Sequence, residues 1–482
     1  MKRRDVPKML MAGLAVPSLL SLHPVFGTVH KRAVNPSKRP NIILIVADDL
    51  GYSALGCYGN RFNETPNLDR LAREGMRFTD AYASATVCSP TRAALMTGQH
   101  PARVGITNYL EGDDINFLTP AYITINERLK SAGYVTGLIG KWHLTGNYAK
   151  RRGAPQVHNW DEVILSETEH IKLGVYFAPY FFMPNVKARE PGEYLTDRLN
   201  TEAVEFIHRH KEETFFLYLS HYAPHTNLAA KPDVVAKYER KLGGAKQKGK
   251  NPVLAAMLES IDNGVGQIMR ALKKLRLEEN TLIAFTSDNG GETNVTTNAP
   301  LRAGKSWLYE GGIRVPLVVR YPAGVNAGMV SNTPVITHDW YPTFMDLAGV
   351  HPHARQPLDG ISMTPLFIAG GDLSRDMLYW HYPLAEPHFL GGRSSGAMRD
   401  GDYKLIEFFD TCEVELYNLR TDIGESHNLA ITMPHKVAEL RNKLTDWRQS
   451  IRASMDPMRP ATKDAAHESS LVARTCALSK KR

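Results

Sequence analysis

The chain has 482 residues, of which 43% are hydrophobic and 22% charged, a balance that fits a folded globular protein and excludes a disordered or fibrous one. A formal charge of +8 would suit a nucleic-acid partner, but residues 1–27, 28–40 and 459–482 carry +3, +4 and +4 of it, which leaves 41–458 at −3. The basic excess therefore belongs to the ends, and no nucleic-acid groove is expected.

Residues 1–27 open with Lys2, Arg3 and Arg4, continue through an apolar stretch over 9–22 and reach small residues near Gly27, the order of an export signal. That stretch is shorter than the roughly 18 residues of a membrane span, and Pro17 interrupts it. Removal of the segment is expected, with no stable membrane insertion and a periplasmic or secreted product. Asp5, Pro7 and Lys8 stand where a twin-arginine signal would be apolar, so both that route and the general secretory one stay open. Residues 28–40 read as a basic linker.

Short apolar runs over 41–47 (NIILIVA), 134–139 (YVTGLI), 215–219 (FFLYL), 281–286 (TLIAFT) and 315–319 (VPLVV) have the pattern of strands buried on both faces. Helical periodicity over 67–77, 125–132, 194–210 and 253–275 falls between them, and 243–251 (GGAKQKGKN) reads as a flexible loop. This alternation predicts an α/β fold, a large, mostly parallel sheet flanked by helices, in one domain over 41–358. From residue 359 the pattern changes. Segments 397–406 (AMRDGDYKLI) and 413–417 (EVELY) alternate around turn residues, and 433–449 reads as an amphipathic helix with Pro434 near its start. A smaller α+β subdomain on an antiparallel sheet is expected over 359–458, then a basic tail over 459–482. Cys57, Cys88, Cys412 and Cys476 match no zinc or disulfide framework. A disulfide among three of them is compatible with export, with the pair left open.

The chemistry is carried by the polar residues just past each predicted buried strand. The first strand ends in Asp48-Asp49, the second in Lys141-Trp142-His143, the third in His221 and His225, and the fourth in Asp288-Asn289. In open parallel sheets ligands bind beyond the carboxyl ends of the strands, so these groups should converge on one crevice. A single Asp or Asn pair would pass for a turn former; four such ends are harder to dismiss. Asp48, Asp49, Asp288 and Asn289 offer a hard oxygen-donor set suited to calcium, or less readily magnesium. Lys141 and His143 are two apart and share one side of an extended segment. Within 87–98 (VCSPTRAALMTG), Pro90 favours a first helical turn with Ser89 as its cap, placing Cys88 just before a helix N-terminus. Such a position attracts anions and lowers a thiol pKa, and Arg92, one turn on, can reach back to an anionic group. Alone, Cys88 could be an ordinary thiol nucleophile, though without its neighbours inert packing is the better reading.

Together these segments resemble the type I, formylglycine-dependent sulfatases of the alkaline-phosphatase-like superfamily. Cys88-Ser89-Pro90-Thr91-Arg92 matches that family's C-x-P-x-R modification motif, and 133–143 (GYVTGLIGKWH) its second signature. Asp48-Asp49, the Ala-Pro-His ending at His225, 287–291 (SDNGG) and Gly304-Lys305 come in the family's order, and 399–405 and 415–419 (ELYNL) resemble its smaller domain. Thr86 and His158-Asn159-Trp160-Asp161 depart from the commoner residues away from the chemistry.

The resemblance implies that a maturation enzyme oxidises Cys88 to formylglycine around the time of export. It implies one calcium ion held by Asp48, Asp49, Asp288, Asn289 and residue 88 itself. The hydrated aldehyde, deprotonated with help from Asp288, would attack sulfur. Arg92, Lys141 and Lys305 would hold the sulfate oxygens, and His225 with Lys305 would bind the substrate and protonate the departing alcohol. His143 would then deprotonate the second hydroxyl, expelling sulfate and restoring the aldehyde. A phosphatase on the same fold would instead use two zinc ions with Ser or Thr as nucleophile, whereas here Cys88 holds that position and Asn289 comes after Asp288. Left unmodified, Cys88 would give an idle glycan-binding protein. The aromatic stretch 172–184 (KLGVYFAPYFFMP) could stack on sugar rings or pack a loop onto the body. Sulfated carbohydrate fragments are the expected substrate, with simple aryl sulfates as the alternative.

Overall fold

The computed structural model describes residues 39–458 except 172–175, 245–246, 248, 368–370 and 376. The expected export signal, residues 28–38 of the basic linker, the basic tail and Cys476 lie outside the described residues.

In chain order the strands of the body are β1 (Asn41–Ala47), β2 (Met76–Phe78), β3 (Ala81–Tyr82), β4 (Val135–Gly140), β5 (Glu162–Ile164), β6 (Phe215–Ser220), β7 (Thr281–Ser287), β8 (Leu317–Arg320), β9 (Met329–Ser331) and β10 (Val335–Ile336). Eight of them form one sheet in the order β5-β4-β6-β1-β7-β8-β2-β9, and β3 and β10 pair separately. The five strands from β5 to β7 run parallel, whereas β8 lies antiparallel to both β7 and β2. The sheet is thus mixed and mostly parallel, as the alternation of apolar runs and amphipathic segments predicts.

Side chains of β1 alternate between two cores. Ile42, Leu44 and Val46 join Phe216, Tyr218, Leu282 and the helix Trp340–Ala348 on one face. Ile43, Ile45 and Ala47 join Leu217, Leu219, Ile283 and the helices Leu195–Arg209 and Pro252–Lys274 on the other. Burial on both faces is why the strand reads as an unbroken apolar run. The first predicted helix is shorter than its periodicity suggests, ending at Arg73. A Cβ on Gly75 would stand 2.2 Å from the Val319 carbonyl oxygen, so only glycine fits where the chain passes from the helix into β2. Among the described residues no helix is long and apolar enough to cross a membrane.

Beyond the body, β11 (Met377–Tyr382), β12 (Ser395–Asp400), β13 (Tyr403–Phe408) and β14 (Val414–Asn418) form an antiparallel sheet in chain order. The predicted segment 397–406 is in fact a hairpin, turning at Gly401 with φ 57°. One face of the sheet packs on the closing helix Pro434–Ser450 through Leu440 and Leu444. The other presents Trp380, Ala397, Ile406 and Phe408 to Tyr82, Val87, Leu308 and Ile313 of the body. Beside this seam lies a buried ionic cluster. Lys404 Nζ is 2.9 Å from both Glu310 and Glu425, and Arg399 is 2.7 Å from Asp80.

Three buried histidines sit in the same region. His100 meets the Tyr379 carbonyl at 3.1 Å, His338 meets Ser84 at 2.9 Å and His381 meets the Ser454 carbonyl at 2.7 Å. Burial pushes them down to about 3, about 4 and about 4. Their folded values lie below the unfolded value near 6.5, so the native state binds fewer protons, and stability is full above pH 6.5 and lost as pH falls toward 4. Each contributes a slope of about 1.4 kcal/mol per pH unit in that window. Glu425, pushed up to about 7 by burial, acts in the opposite sense but is one group against three. The urea midpoint should therefore be lower at pH 5 than at pH 7; a midpoint that rises on acidification would contradict this account.

Candidate active site

The sheet register sets the floor of the site. Gly140 pairs with Ser220, Ser220 with Val46, and Ala47 with Ser287, so β4, β6, β1 and β7 end at nearly one level. The next residues, Lys141, Asp48 and Asp288, are therefore brought side by side. Asp49 adopts φ 63° and donates its backbone N–H to Asp288 Oδ1 at 3.1 Å, while Asn289 Nδ2 donates to Asp49 Oδ1 at 2.7 Å.

The helix Cys88–Thr97 enters this crevice with every residue buried. Cys88 is its first helical residue and Val87 its N-cap. Ser89 is not the cap expected from the sequence, because its Oγ accepts the Leu110 N–H at 3.0 Å. One turn on, Arg92 reaches Asp288 Oδ2 and Ser220 Oγ, both at 2.6 Å, and lies 3.6 Å from Asp48 Oδ1. Lys141 Nζ meets Asp48 Oδ2 at 2.5 Å, and Lys305 Nζ meets Asp49 Oδ2 at 2.7 Å and His225 Nε2 at 3.1 Å. Every metal-site and catalytic residue expected from the sequence is thus gathered in one place. His221, noted with His225 at the same strand end, is buried with neither ring nitrogen partnered and does not line the chamber.

Three carboxylates here face three cations, all at 6% exposure or less. Burial opposes the charge on Asp48, but Lys141, His225 and Arg92 outweigh it and hold the carboxyl low; Lys305 does the same for Asp49. Asp288 goes the other way, raised by burial and by the facing Asp48. The Cys88 thiol is also raised, because burial outweighs Lys141 and Lys305. The lowering expected at a helix N-terminus is overridden, and an ordinary thiolate is disfavoured at neutral pH. Oxygen atoms remain for a cation. Asp48 Oδ1 and Asn289 Oδ1 are buried without hydrogen-bond partners, and ligand atoms of Asp48, Cys88 and Asp288 lie within 4.8 Å of one another. A hard divalent ion fits this oxygen-rich set.

His143, at φ 54°, places Nε2 3.0 Å from the Leu110 carbonyl. That contact requires the proton on Nε2, so Nδ1, buried without a partner, carries a free lone pair. The segment bearing Lys141 and His143 is clamped by Glu167, which has no signal in the sequence because a lone acidic residue in an irregular segment carries no pattern. Its carboxylate accepts the His143 N–H at 2.5 Å, the Trp142 N–H at 3.0 Å and the Tyr222 hydroxyl at 2.9 Å. Glu167→Gln should lower kcat by up to about a hundredfold through misplacement of His143. Steady-state kinetics checks this, and a change confined to KM would argue against it.

The floor opens into a cavity of about 240 Å³ whose walls include Tyr109, Tyr176, Phe182, Tyr222, His388 and Phe389. Within the aromatic stretch, Tyr176, Tyr180, Phe182 and Met183 are buried and Phe181 is 69% exposed. The stretch therefore mainly packs onto the body, with Tyr176 and Phe182 also forming wall; residues 172–175 lie outside the described residues. Of the cysteines, Cys57 and Cys88 are free and Cys412 is disulfide-bonded.

A family profile described as Sulfatase matches residues 40–350, and one described as N-sulphoglucosamine sulphohydrolase, C-terminal, matches 303–452. The chain belongs to the sulfatase family. This sulfatase is 30% identical to a protein named Sulfatase from Formosa agariphila, over 91% of the chain and 93% of that protein. It is 33% identical to N-acetylgalactosamine-6-sulfatase of Canis lupus familiaris, over 72% and 70% respectively. Among solved structures it is similar to Ps i-CgsB in complex with k-i-k-neocarrahexaose, with a TM-score of 0.78, 31% identity, and 92% and 98% of the two chains covered. The phosphonate monoester hydrolase of Agrobacterium radiobacter, at 22% identity and a TM-score of 0.62 over 86% and 96% of the chains, shares the fold. The sulfatase is accordingly a sulfuric ester hydrolase with a large mixed sheet and a C-terminal antiparallel sheet.

Proposed function

We propose that this enzyme releases inorganic sulfate from sulfated carbohydrate fragments, using formylglycine made from Cys88 by a maturation enzyme and one calcium ion held by Asp48, Asp49, residue 88, Asp288 and Asn289. The observation that carries this reading is the pair of buried oxygens without hydrogen-bond partners, Asp48 Oδ1 and Asn289 Oδ1, beside a cysteine whose thiol is pushed up by burial. Cys88 Sγ marks where the oxygen of the hydrated aldehyde would stand. When bound, the cation polarises that oxygen and supplies two positive charges to a cage whose own charges cancel, a surplus matched by one sulfate monoester and one oxyanion.

The remaining steps belong to the chain's own residues. With Asp48, Asp49 and Asp288 holding the cation, Arg92, Lys141 and Lys305 would be free to hold the sulfate oxygens. Asp288 would accept the proton of the attacking hydroxyl. His225 Nε2 stands 3.1 Å from Lys305 Nζ, so the pair would share a proton that can pass to the departing alcohol. His143 Nδ1, with its lone pair free, takes the proton of the second hydroxyl at position 88, which lets sulfate leave. The glycan substrate is supported by the neocarrahexaose bound to the similar Ps i-CgsB, by the sugar in the name of the similar N-acetylgalactosamine-6-sulfatase and by the aromatic wall of the cavity. Export to the periplasm or medium, proposed from the N-terminal segment, suits such a substrate.

Chelation tests the reading directly. Extraction with EDTA should remove most activity toward 4-nitrophenyl sulfate and lower the thermal midpoint, and calcium should restore both better than magnesium. Full activity after exhaustive chelation would eliminate the metal role.

A further inference from the structure

The loop between β11 and β12 reaches from the C-terminal sheet to the cavity, and none of its residues has a part in the sulfate chemistry above. It is fastened next to Lys305: Gly392 N–H donates to Ser306 Oγ at 3.2 Å, and Trp307 Nε1–H donates to the Leu390 carbonyl at 3.2 Å. Within the loop, His388 Nδ1 accepts the Leu390 N–H at 3.1 Å. That bond requires the lone pair on Nδ1, which places the single proton of the neutral ring on Nε2. His388 lines the cavity at 8% exposure, and its Nε2 is buried with no partner. Burial pushes this imidazole down to about 4, with Lys305 acting in the same direction, so the ring is neutral at ordinary pH. An unpaired buried donor is a cost that a bound acceptor oxygen removes. Phe389 stacks on His388 with ring centroids 4.3 Å apart, lines the same cavity and remains 76% exposed, leaving an aromatic face uncovered until a ligand arrives.

We infer that His388 and Phe389 select a sulfated sugar ring, the histidine donating Nε2–H to a hydroxyl or ring oxygen of the sugar and the phenylalanine stacking on its C–H face. This deepens the proposed function and rests on it. An aryl sulfate such as 4-nitrophenyl sulfate carries no hydroxyl or ring oxygen, only weakly accepting nitro oxygens, and lacks the C–H face of a sugar ring, so the same two residues do less for it.

The test compares kcat/KM for 4-nitrophenyl sulfate with that for the best substrate among the monosulfates of galactose, N-acetylgalactosamine and glucosamine. It uses the mature full-length enzyme and its His388→Phe, His388→Gln and Phe389→Ala variants. The sugar-to-aryl ratio should fall at least tenfold in His388→Phe and in Phe389→Ala, mainly through KM, and recover in part in His388→Gln, which retains an N–H donor. A ratio within twofold of the parent in both loss variants overturns the inference. So does a parent enzyme that turns over the aryl sulfate and none of the sugars. A parent inactive on both classes instead sinks the sulfatase reading itself. Thermal midpoints accompany each variant, and Phe389, being exposed, gives an answer even if His388→Phe does not fold.

Discussion

Cys88→Ala should cut sulfate release by about 10⁴-fold or more while leaving the thermal midpoint near that of the parent. The side chain is small, and removing Sγ leaves the helix Cys88–Thr97 and its neighbours in place, so the loss would be chemical. An unmodified thiol is a poor substitute for the proposed nucleophile because burial pushes it up and disfavours the thiolate. Residual turnover would come from Arg92, Lys141 and Lys305 acting on sulfate without a covalent partner. Two measurements decide the matter together: sulfate release by the variant, and the mass of the tryptic peptide carrying residue 88 in the parent. A peptide bearing only a thiol in fully active enzyme would remove formylglycine from the mechanism, as would a variant that keeps a tenth of parental activity.

The second large effect concerns stability. Lys404, Glu310 and Glu425 are all fully buried. Glu310 also takes the Tyr82 hydroxyl at 2.8 Å and Arg314 at 3.1 Å, whereas Glu425 has Lys404 as its ion-pair partner and accepts the Glu310 N–H at 2.7 Å. Lys404→Met removes the shared cation and leaves two carboxylates facing each other out of reach of water. Breaking such a cluster costs about 3–5 kcal/mol, read as a lower urea midpoint. Glu425, already pushed up to about 7, would answer by holding a proton, so adding Glu425→Gln should return part of the loss. A loss below about 1 kcal/mol would indicate that solvent enters the cluster.

How much of this is legible in one dimension depends on which residues carry a pattern. Runs such as 41–47 are strands because both faces of β1 are buried, and the polar residues closing β1, β4 and β7 are adjacent because parallel register brings strand ends level. The residues of the floor can therefore be placed together from the sequence. The walls cannot. Glu167, Tyr109, His388 and Phe389 lie in irregular segments, where no periodicity constrains neighbours and each contact is made across long sequence separation. The Cys88 thiol departs from expectation for a related reason: helix position is visible in sequence, but the depth of burial that overrides it is not. The 397–406 segment reads as one alternating stretch because the turn at Gly401 interrupts the pattern too briefly to show.

The seam between the two sheets has a consequence for how the protein can be divided. Cutting the chain near residue 358 would bare Tyr82, Val87, Leu308 and Ile313 to water and leave Asp80 and Glu310 short of the cations that Arg399 and Lys404 bring. It would also take away the cavity wall that carries His388 and Phe389. The larger sheet holds the reacting groups, yet expressed alone it would be sticky, electrostatically unbalanced and open on one side. The smaller one therefore serves as an indispensable half of the vessel.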